Sequence, residues 1–570
     1  MALETPVLIV GAGPSGLAAA CELAHQGVAC LVAEPRTSVS VGRPRAKTTS
    51  IRTMELFRRW GIATAIREAA PLNPNWSDRV VFADALTGHA ITEFTDCFGL
   101  CSTAASPEVG QQIPQPLVEE VLRAHLATNP LVDFLWGARL IDLDTSQSDR
   151  VTARLDDGQR SITVQADYVL GCDGPSSPTR QSTGIELRGE SDPRPNFNAV
   201  FHAPQLRTDL GDAVQYWIVN ERTSGLIGRL DLDGTWWAIM PGVDAEQGRA
   251  HVSRLLENLV GGPFPHHVLS TDSWNARMTV ADSYRKDRVF LVGEAAHQNP
   301  PFGGHGYNTC IGDAVNLSWK LAGVLAGWAD PGLLNTYEQE RKPIAQITIA
   351  AARQNMGGLP GDFARQAAQG TNRVTLAEHI QRSKFSEFHS AGLVLGYTYG
   401  QPSPDTTVHQ ANQKSAVPTD LDHYTPNTEV GSRLPHCLDD QQRPLFDALG
   451  RGFTLLGPEP HSPAAIATRN QAHTFNLPLD IVERPTTLPA PYDWLLIRPD
   501  QHIAWHGNHI DQTAIITAMW PTATYQEIHA GVRSRDPADM NSPMLQRRTG
   551  ATQNAAHTDM SNHTRSGIHE

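Results

Sequence analysis

VFLVGEAAHQNPPFGGHGYNTCIGDAVNLSWKLAGVL, residues 289–325, reads as a strand, an acidic turn, a glycine-rich loop and a helix. Val289, Phe290, Leu291 and Val292 form a short apolar run ending at Gly293-Glu294, as a buried parallel strand with a carboxylate at its C-terminal end would. Pro300-Pro-Phe-Gly-Gly-His-Gly-Tyr-Asn308 follows, and its three glycines let backbone N–H groups approach a flat ligand where side chains would block them. Ile311, Ala314, Val315, Leu321, Ala322 and Leu325 recur at helical spacing. The loop therefore opens into an amphipathic helix whose positive end, worth about half an elementary charge, points at whatever the loop holds.

The amino-terminal segment carries a second pattern of strand, glycine turn and helix. Val7 to Val10 is apolar, Gly11-Ala-Gly-Pro-Ser-Gly16 follows at once, Leu17 to His25 favours helix, and Gly27 stands where a C-terminal cap belongs. Val28 to Ala33 reads as a second strand ending at Glu34. A GxGxxG alone is a weak signal. Here a strand precedes it, a helix follows, and an acidic residue about twenty positions on can hold a ribose hydroxyl, so the context specifies a dinucleotide site. No second fingerprint of this kind occurs, and one dedicated pocket is expected.

Composition sets outer limits. A chain of 570 residues with 40% hydrophobic content predicts about two to four domains. A net charge of −14 argues against nucleic acid as a partner. No apolar run approaches the roughly 20 residues of a membrane span, and no secretory signal is expected, since Pro6 to Val10 leads straight into a glycine turn. Seven cysteines without a CxxC predict reduced thiols and a cytoplasmic protein. Cys97 and Cys101 lack a second ligand pair at suitable spacing, so no metal is expected.

Gly42-Arg-Pro-Arg-Ala46 places two arginines where they could neutralise a pyrophosphate, Gln115 opens a helix, and Tyr168-Val-Leu170 reads as a buried strand ending at Gly171-Cys-Asp-Gly174. Between Gly184 and Asp282, alternating and aromatic-rich segments predict an antiparallel sheet, with Tyr216, Trp217, Trp236 and Trp237 as candidates to touch a planar substrate, although most of them would fill the sheet's own core. Beyond an irregular connector, Phe453-Thr-Leu-Leu456, Leu479 to Glu483 and Trp494-Leu-Leu-Ile-Arg498 are strand-like. The polar stretch from about residue 533 predicts disorder.

The order and spacing of four motifs resemble the group A flavoprotein monooxygenases, the single-component aromatic hydroxylases of the para-hydroxybenzoate and phenol hydroxylase kind. They are Gly11 to Gly16 with Glu34, Gly42 to Ala46, Cys172-Asp-Gly174 with Arg180, and Gly293 to Lys320. The resemblance implies an α/β architecture. A Rossmann-like FAD-binding domain occupies 1–184 and, with its helices, 283–400, around an inserted antiparallel substrate-binding sheet at 185–282. A connector at 401–430 leads to a thioredoxin-like domain at 431–532 and a tail at 533–570. That C-terminal domain lacks a CxxC, so a packing or homodimer role is expected for it.

By the same resemblance Gly11, Gly13, Ser15 and Gly16 cradle the FAD pyrophosphate, Glu34 holds the adenosine ribose, and Arg43 and Arg45 contact phosphates and ribose. Gln115 contacts the flavin, Asp173 serves both FAD and NAD(P)H, and Glu294 stands for an aspartate on the ribityl chain, one methylene longer. Pro301, Gly304, Gly306, Tyr307 and Asn308 lie against the isoalloxazine ring. Asn275 and Arg277, with Pro301, are the expected catalytic contacts, and Tyr216 and Trp237 the expected substrate wall. His297 is expected in a structural turn, and His305 on a loop that exposes its side chain. The implied reaction consumes NAD(P)H and O₂ and hydroxylates a phenolic or polyketide-type small aromatic through a flavin C4a-hydroperoxide. Baeyer–Villiger oxygen insertion, or flavin binding without oxygenase activity, is the alternative.

Overall fold

Leu3–Val10 becomes the middle of a sheet because Val7, Leu8, Ile9 and Val10 have no polar side to show, and each is buried. The computed structural model describes residues 2–40, 47–73, 75–400 and 418–519, so Arg43, Arg45, the first half of the connector, the end of the C-terminal domain and the tail lie outside the described residues. Across the sheet the order is Arg285–Lys286, Val289–Leu291, Ser161–Gly171, Leu3–Val10, Cys30–Glu34, Val132–Trp136. All but the first of these strands run parallel to their neighbours. Register pairs Val10 with Gly171 and Gly171 with Leu291. The turns after these strands, at Gly11, Cys172 and Gly293, therefore leave the sheet side by side. In an open parallel sheet that edge is where ligands bind.

The second sheet runs His297–Gln298, His267–Ala281, Leu187–His202, Thr235–Pro241, Gly225–Arg229, Gln215–Ile218, Val80–Ala83, Ala90–Phe94. Its last two strands come from the segment that the sequence reading placed with the FAD-binding part. The reason is that Val80–Ala83 is apolar on both faces. Val81 and Ala83 pack with Leu256 and Leu259 of the helix Ala245–Val260, while Val80 and Phe82 pack on the other face with Phe302, Phe363 and Phe388. Only a strand covered on both sides buries all four.

A four-stranded sheet ordered Leu479–Glu483, Phe453–Gly457, Trp494–Ile497, Ile503–Gly507 follows, with its parallel pair joined through the helix Pro463–Thr474 and the rest antiparallel. Three of these strands are the segments Phe453 to Leu456, Leu479 to Glu483 and Trp494 to Arg498 that read as strand-like in the sequence. Cys437 packs in its core, and all seven cysteines are free thiols. No helix among the described residues is long and apolar enough to cross a membrane.

Candidate functional site

The glycines of the first turn divide into two kinds. A Cβ on Gly11, whose φ is +103°, would lie 2.5 Å from the Cys172 carbonyl oxygen, and one on Gly16 would lie 1.9 Å from the Gly11 oxygen. Packing of the turn itself demands these two. Around Gly13, by contrast, a Cβ would meet no atom within 4 Å. Gly13 is also the N-cap of the helix Pro14–His25, and no side chain caps that helix. An open helix end beside free space suits an anionic group such as a pyrophosphate.

Glu34 closes the turn from the next strand. One carboxylate oxygen accepts the Ala12 N–H at 2.7 Å, and the other accepts the backbone N–H and Nε of Arg36 at 3.0 and 2.8 Å. On the opposite side a Cβ on Gly293, with φ +66°, would lie 2.3 Å from Ser15 Oγ and 3.0 Å from Cys310 Cβ. The amino-terminal turn and the acidic turn thus touch through a position that has room only for glycine. Glu294, next in the chain, is exposed at this edge.

Asp173 turns inward. Its carboxylate hydrogen-bonds Ser177 Oγ and accepts the Thr179 N–H at 2.8 Å, at the start of the short helix Pro178–Thr183. Burial raises its pKa, against the pull of these hydrogen bonds. Arg180 then donates to the carbonyls of Ala295 and Pro175, both at 3.0 Å, tying this turn to the acidic one. Gln115 donates to Glu119 at 2.8 Å along its own helix.

The glycine loop is held by its far end. Gly304 N–H closes a turn on the exposed Pro301 at 3.1 Å, with positive φ at Gly303 and Gly304. Asn308 spends its whole amide: Oδ1 accepts from Ser50 N–H at 2.9 Å and Thr53 Oγ1 at 2.8 Å, and Nδ2 donates to the carbonyls of Gly304 at 2.8 Å and Thr48 at 3.1 Å. Asn308 is thus a staple between the loop and the strand Thr48–Thr49. The Tyr307 hydroxyl adds a 3.0 Å contact to Thr49 Oγ1. Gly304 itself stays open, since a Cβ there would find only Thr48 Cβ, at 3.8 Å.

His305 overturns its expectation. Its ring is folded under the turn rather than displayed from it, because Gly303 has no side chain to obstruct Nε2. Burial lowers its pKa to about 4, and Nε2 has no hydrogen-bond partner among the described residues. His297, by contrast, is paired with Asp313 at 2.6 Å, and Asp313 in turn accepts from Arg341 Nε at 2.7 Å. That pairing is structural.

Strand parity corrects three further expectations. Ala276 and Met278 of His267–Ala281 share a core with Phe302 of the loop, so Asn275 and Arg277, one residue out of step, point away and are exposed. Asn275 donates to the Asp192 and Arg194 carbonyls at 3.0 and 3.2 Å. Tyr216 lies in the core under Ala245–Val260, its hydroxyl donating to the Gly211 carbonyl at 2.5 Å. Trp237 remains on the loop side, half-buried, in company with Ile239 and Trp274 that the sequence reading passed over. Trp274 was findable, because it is in step with Ala276. Lys47, also passed over, ends on this side beside Trp237.

The family described as FAD binding domain matches residues 4–352. The FAD-dependent monooxygenase apdD of Emericella nidulans is 31% identical over 557 residues, covering 88% of this chain and 88% of that one. The 2,4-dichlorophenol 6-monooxygenase of Delftia acidovorans is 28% identical, over 89% of this chain and 95% of its own length. The solved structure of the rebeccamycin biosynthetic enzyme RebC with reduced flavin has a TM-score of 0.79 and 30% identity, covering 92% of this chain and 100% of that one.

Proposed function

The chain belongs to the FAD-binding-domain family, among the group A flavoprotein monooxygenases, and from that premise we propose that it hydroxylates a phenolic or polyketide-type aromatic ring at the expense of NAD(P)H. The observation that carries the reading is the meeting of Gly11, Cys172 and Gly293 at one sheet edge, with free space beside Gly13 and an uncapped helix aimed into it. FAD is the cofactor that fits, and when bound and reduced by NAD(P)H it supplies the electrons that activate O₂ for insertion into the ring.

The protein's own part is to bind, orient and keep dry. Gly13, Ser15 and Gly16 would hold the pyrophosphate, with Arg43 and Arg45 balancing its charge, Glu34 on the ribose side and Glu294 toward the ribityl chain. Gly304 and Gly306 would offer backbone to the ring edge, while Asn308 and Tyr307 keep the loop from moving. Asp173 acts at one remove, by fixing the turn on which Gly11 packs. Trp237, Ile239, Trp274 and Phe302 form a wall that would align a flat ring and exclude water from it.

The test is to purify the protein, record its flavin spectrum, and screen phenols and aromatic polyketides for stimulated NAD(P)H consumption with product analysis. A yellow protein that forms a hydroxylated product upholds the proposal. A colourless protein that takes up no FAD, or a yellow one whose NAD(P)H consumption ignores every compound offered, ends it.

A further inference from the structure

We infer that Lys47 contacts the substrate, its ammonium donating to a hydroxyl, phenolate or carbonyl oxygen on the ring; this rests on the hydroxylase reading above. Lys47 stands where the two halves of the site meet. Its backbone carbonyl accepts the Ile113 N–H at 2.7 Å, and the next residue, Thr48, both receives the Asn308 amide and lies nearest the open side of Gly304. Its side chain runs the other way, to the second sheet. There Nζ donates to the Val214 carbonyl at 2.8 Å and sits 5.8 Å from the centre of the Trp237 ring.

That placement bridges the glycine loop and the aromatic wall. A ring held between them would lie beside the ammonium. Gly228 lets Trp237 and the Val214 carbonyl pack side by side on the sheet, since a Cβ there would lie 2.8 Å from Trp237 Nε1 and 2.9 Å from the Val214 oxygen. An ammonium has three donors, and among the described residues one is used. Among the described residues no carboxylate pairs with it, whereas the fully buried lysines Lys320 and Lys384 each have one at 2.8 Å. Burial alone lowers the Lys47 pKa to about 7. Lys47 is half-buried, so the ammonium's remaining donors are open to an oxygen that arrives from outside the chain.

The experiment uses the FAD-loaded wild type, Lys47→Met and Lys47→Arg, with each active phenol from the screen set against its methyl ether, beginning with 2,4-dichlorophenol and 2,4-dichloroanisole. Binding is read from the perturbed flavin spectrum, and KM and kcat from NAD(P)H consumption. Lys47→Met is expected to weaken the phenol about tenfold, leave the ether within about twofold, and keep FAD, with Lys47→Arg recovering part of the loss. Equal losses for phenol and ether, or loss of FAD, overturn the inference while leaving the hydroxylase reading intact. A flavin-loaded wild type that answers no phenol removes both, and does so before any variant is made.

Discussion

Two groups of buried polar side chains meet the helix Gly306–Leu325, one at its first turn and one further along, and they are built on opposite rules. Further along, Asn316 and Lys320 donate to Glu340 at 2.6 and 2.8 Å, Arg498 reaches both Glu340 oxygens at 2.8 Å, and Trp319 Nε1 donates to Asp500 at 3.1 Å. Nearby, Arg433 grips Glu55 with two nitrogens, and Arg52 donates to Glu55 at 2.8 Å and to Gln501 at 2.5 Å. Each of these carboxylates meets at least one cation, and the C-terminal region is thereby held to the rest. Around the first turn the pairing is incomplete among the described residues: His305 Nε2 has no partner and Lys47 has no carboxylate, and the helix after Gly13 across the site has no side-chain cap. Cohesion needs complete networks, while a ligand site needs openings in them.

The largest expected effect breaks the complete side. Glu55→Ala leaves two arginines buried around a missing carboxylate and should cost about 3–5 kcal/mol of stability, measured by denaturant unfolding. Flavin stoichiometry below the unfolding transition should not change. A variant that unfolds like wild type would mean that the network does not hold the C-terminal region.

Next comes pH, where the two regions carry different signatures. For His305 the folded value is about 4 and the ordinary one about 6.5, so between them the unfolded chain takes up a proton that the folded one refuses. Stability therefore falls as pH drops from about 6.5 to 4, by on the order of 3 kcal/mol, and His305→Gln should flatten that slope. Burial works against ionising Glu340, but Arg498 and Lys320 outweigh it and bring it to about 2. Its contribution is whole above about 4.5 and fades as pH falls toward 2, so Glu340→Gln should lower stability throughout the range above about 4.5 and flatten the more acidic limb of the curve.

The openings in the site sharpen the comparison from the other direction. Gly13→Ala meets no atom and should fold like wild type, yet fill the space meant for the cofactor, weakening FAD by about tenfold or more in a fluorescence titration. Gly16→Ala, driven against the Gly11 carbonyl, should lose stability as well. Equal behaviour of the two would show that the free space beside Gly13 holds nothing.

What could be read from the sequence was whatever a short window encodes. The turns at Gly11, Cys172 and Gly293 follow apolar runs, and their meeting at one edge follows from parallel pairing, so the frame of the site was legible. Facing was not. Asn275 and Arg277 differ from Trp274 and Ala276 only in parity, and parity is set by pairing with Leu187–His202, whose register shifts between Ser191 and Pro195. Tyr216 and Trp217 are neighbours in the chain yet lie in different cores. Lys47 carries no local mark at all, because the groups that give it meaning, Val214 and Trp237, stand more than a hundred residues away.

The smallest expected effect tests the boundary between the two rules. Glu294 is a carboxylate, like those of the complete network, but it is exposed on the edge where the site opens. Its backbone cannot drift, since Gly293 is fixed against Ser15 and Cys310. The length of the side chain therefore sets its reach, and a bridging water can make up one methylene. Glu294→Asp should hold FAD within about threefold of wild type, while Glu294→Ala, losing the acceptor, should weaken it by about tenfold, seen as flavin released on dilution. An alanine variant that keeps full flavin occupancy on dilution would place this carboxylate with the structural charges instead.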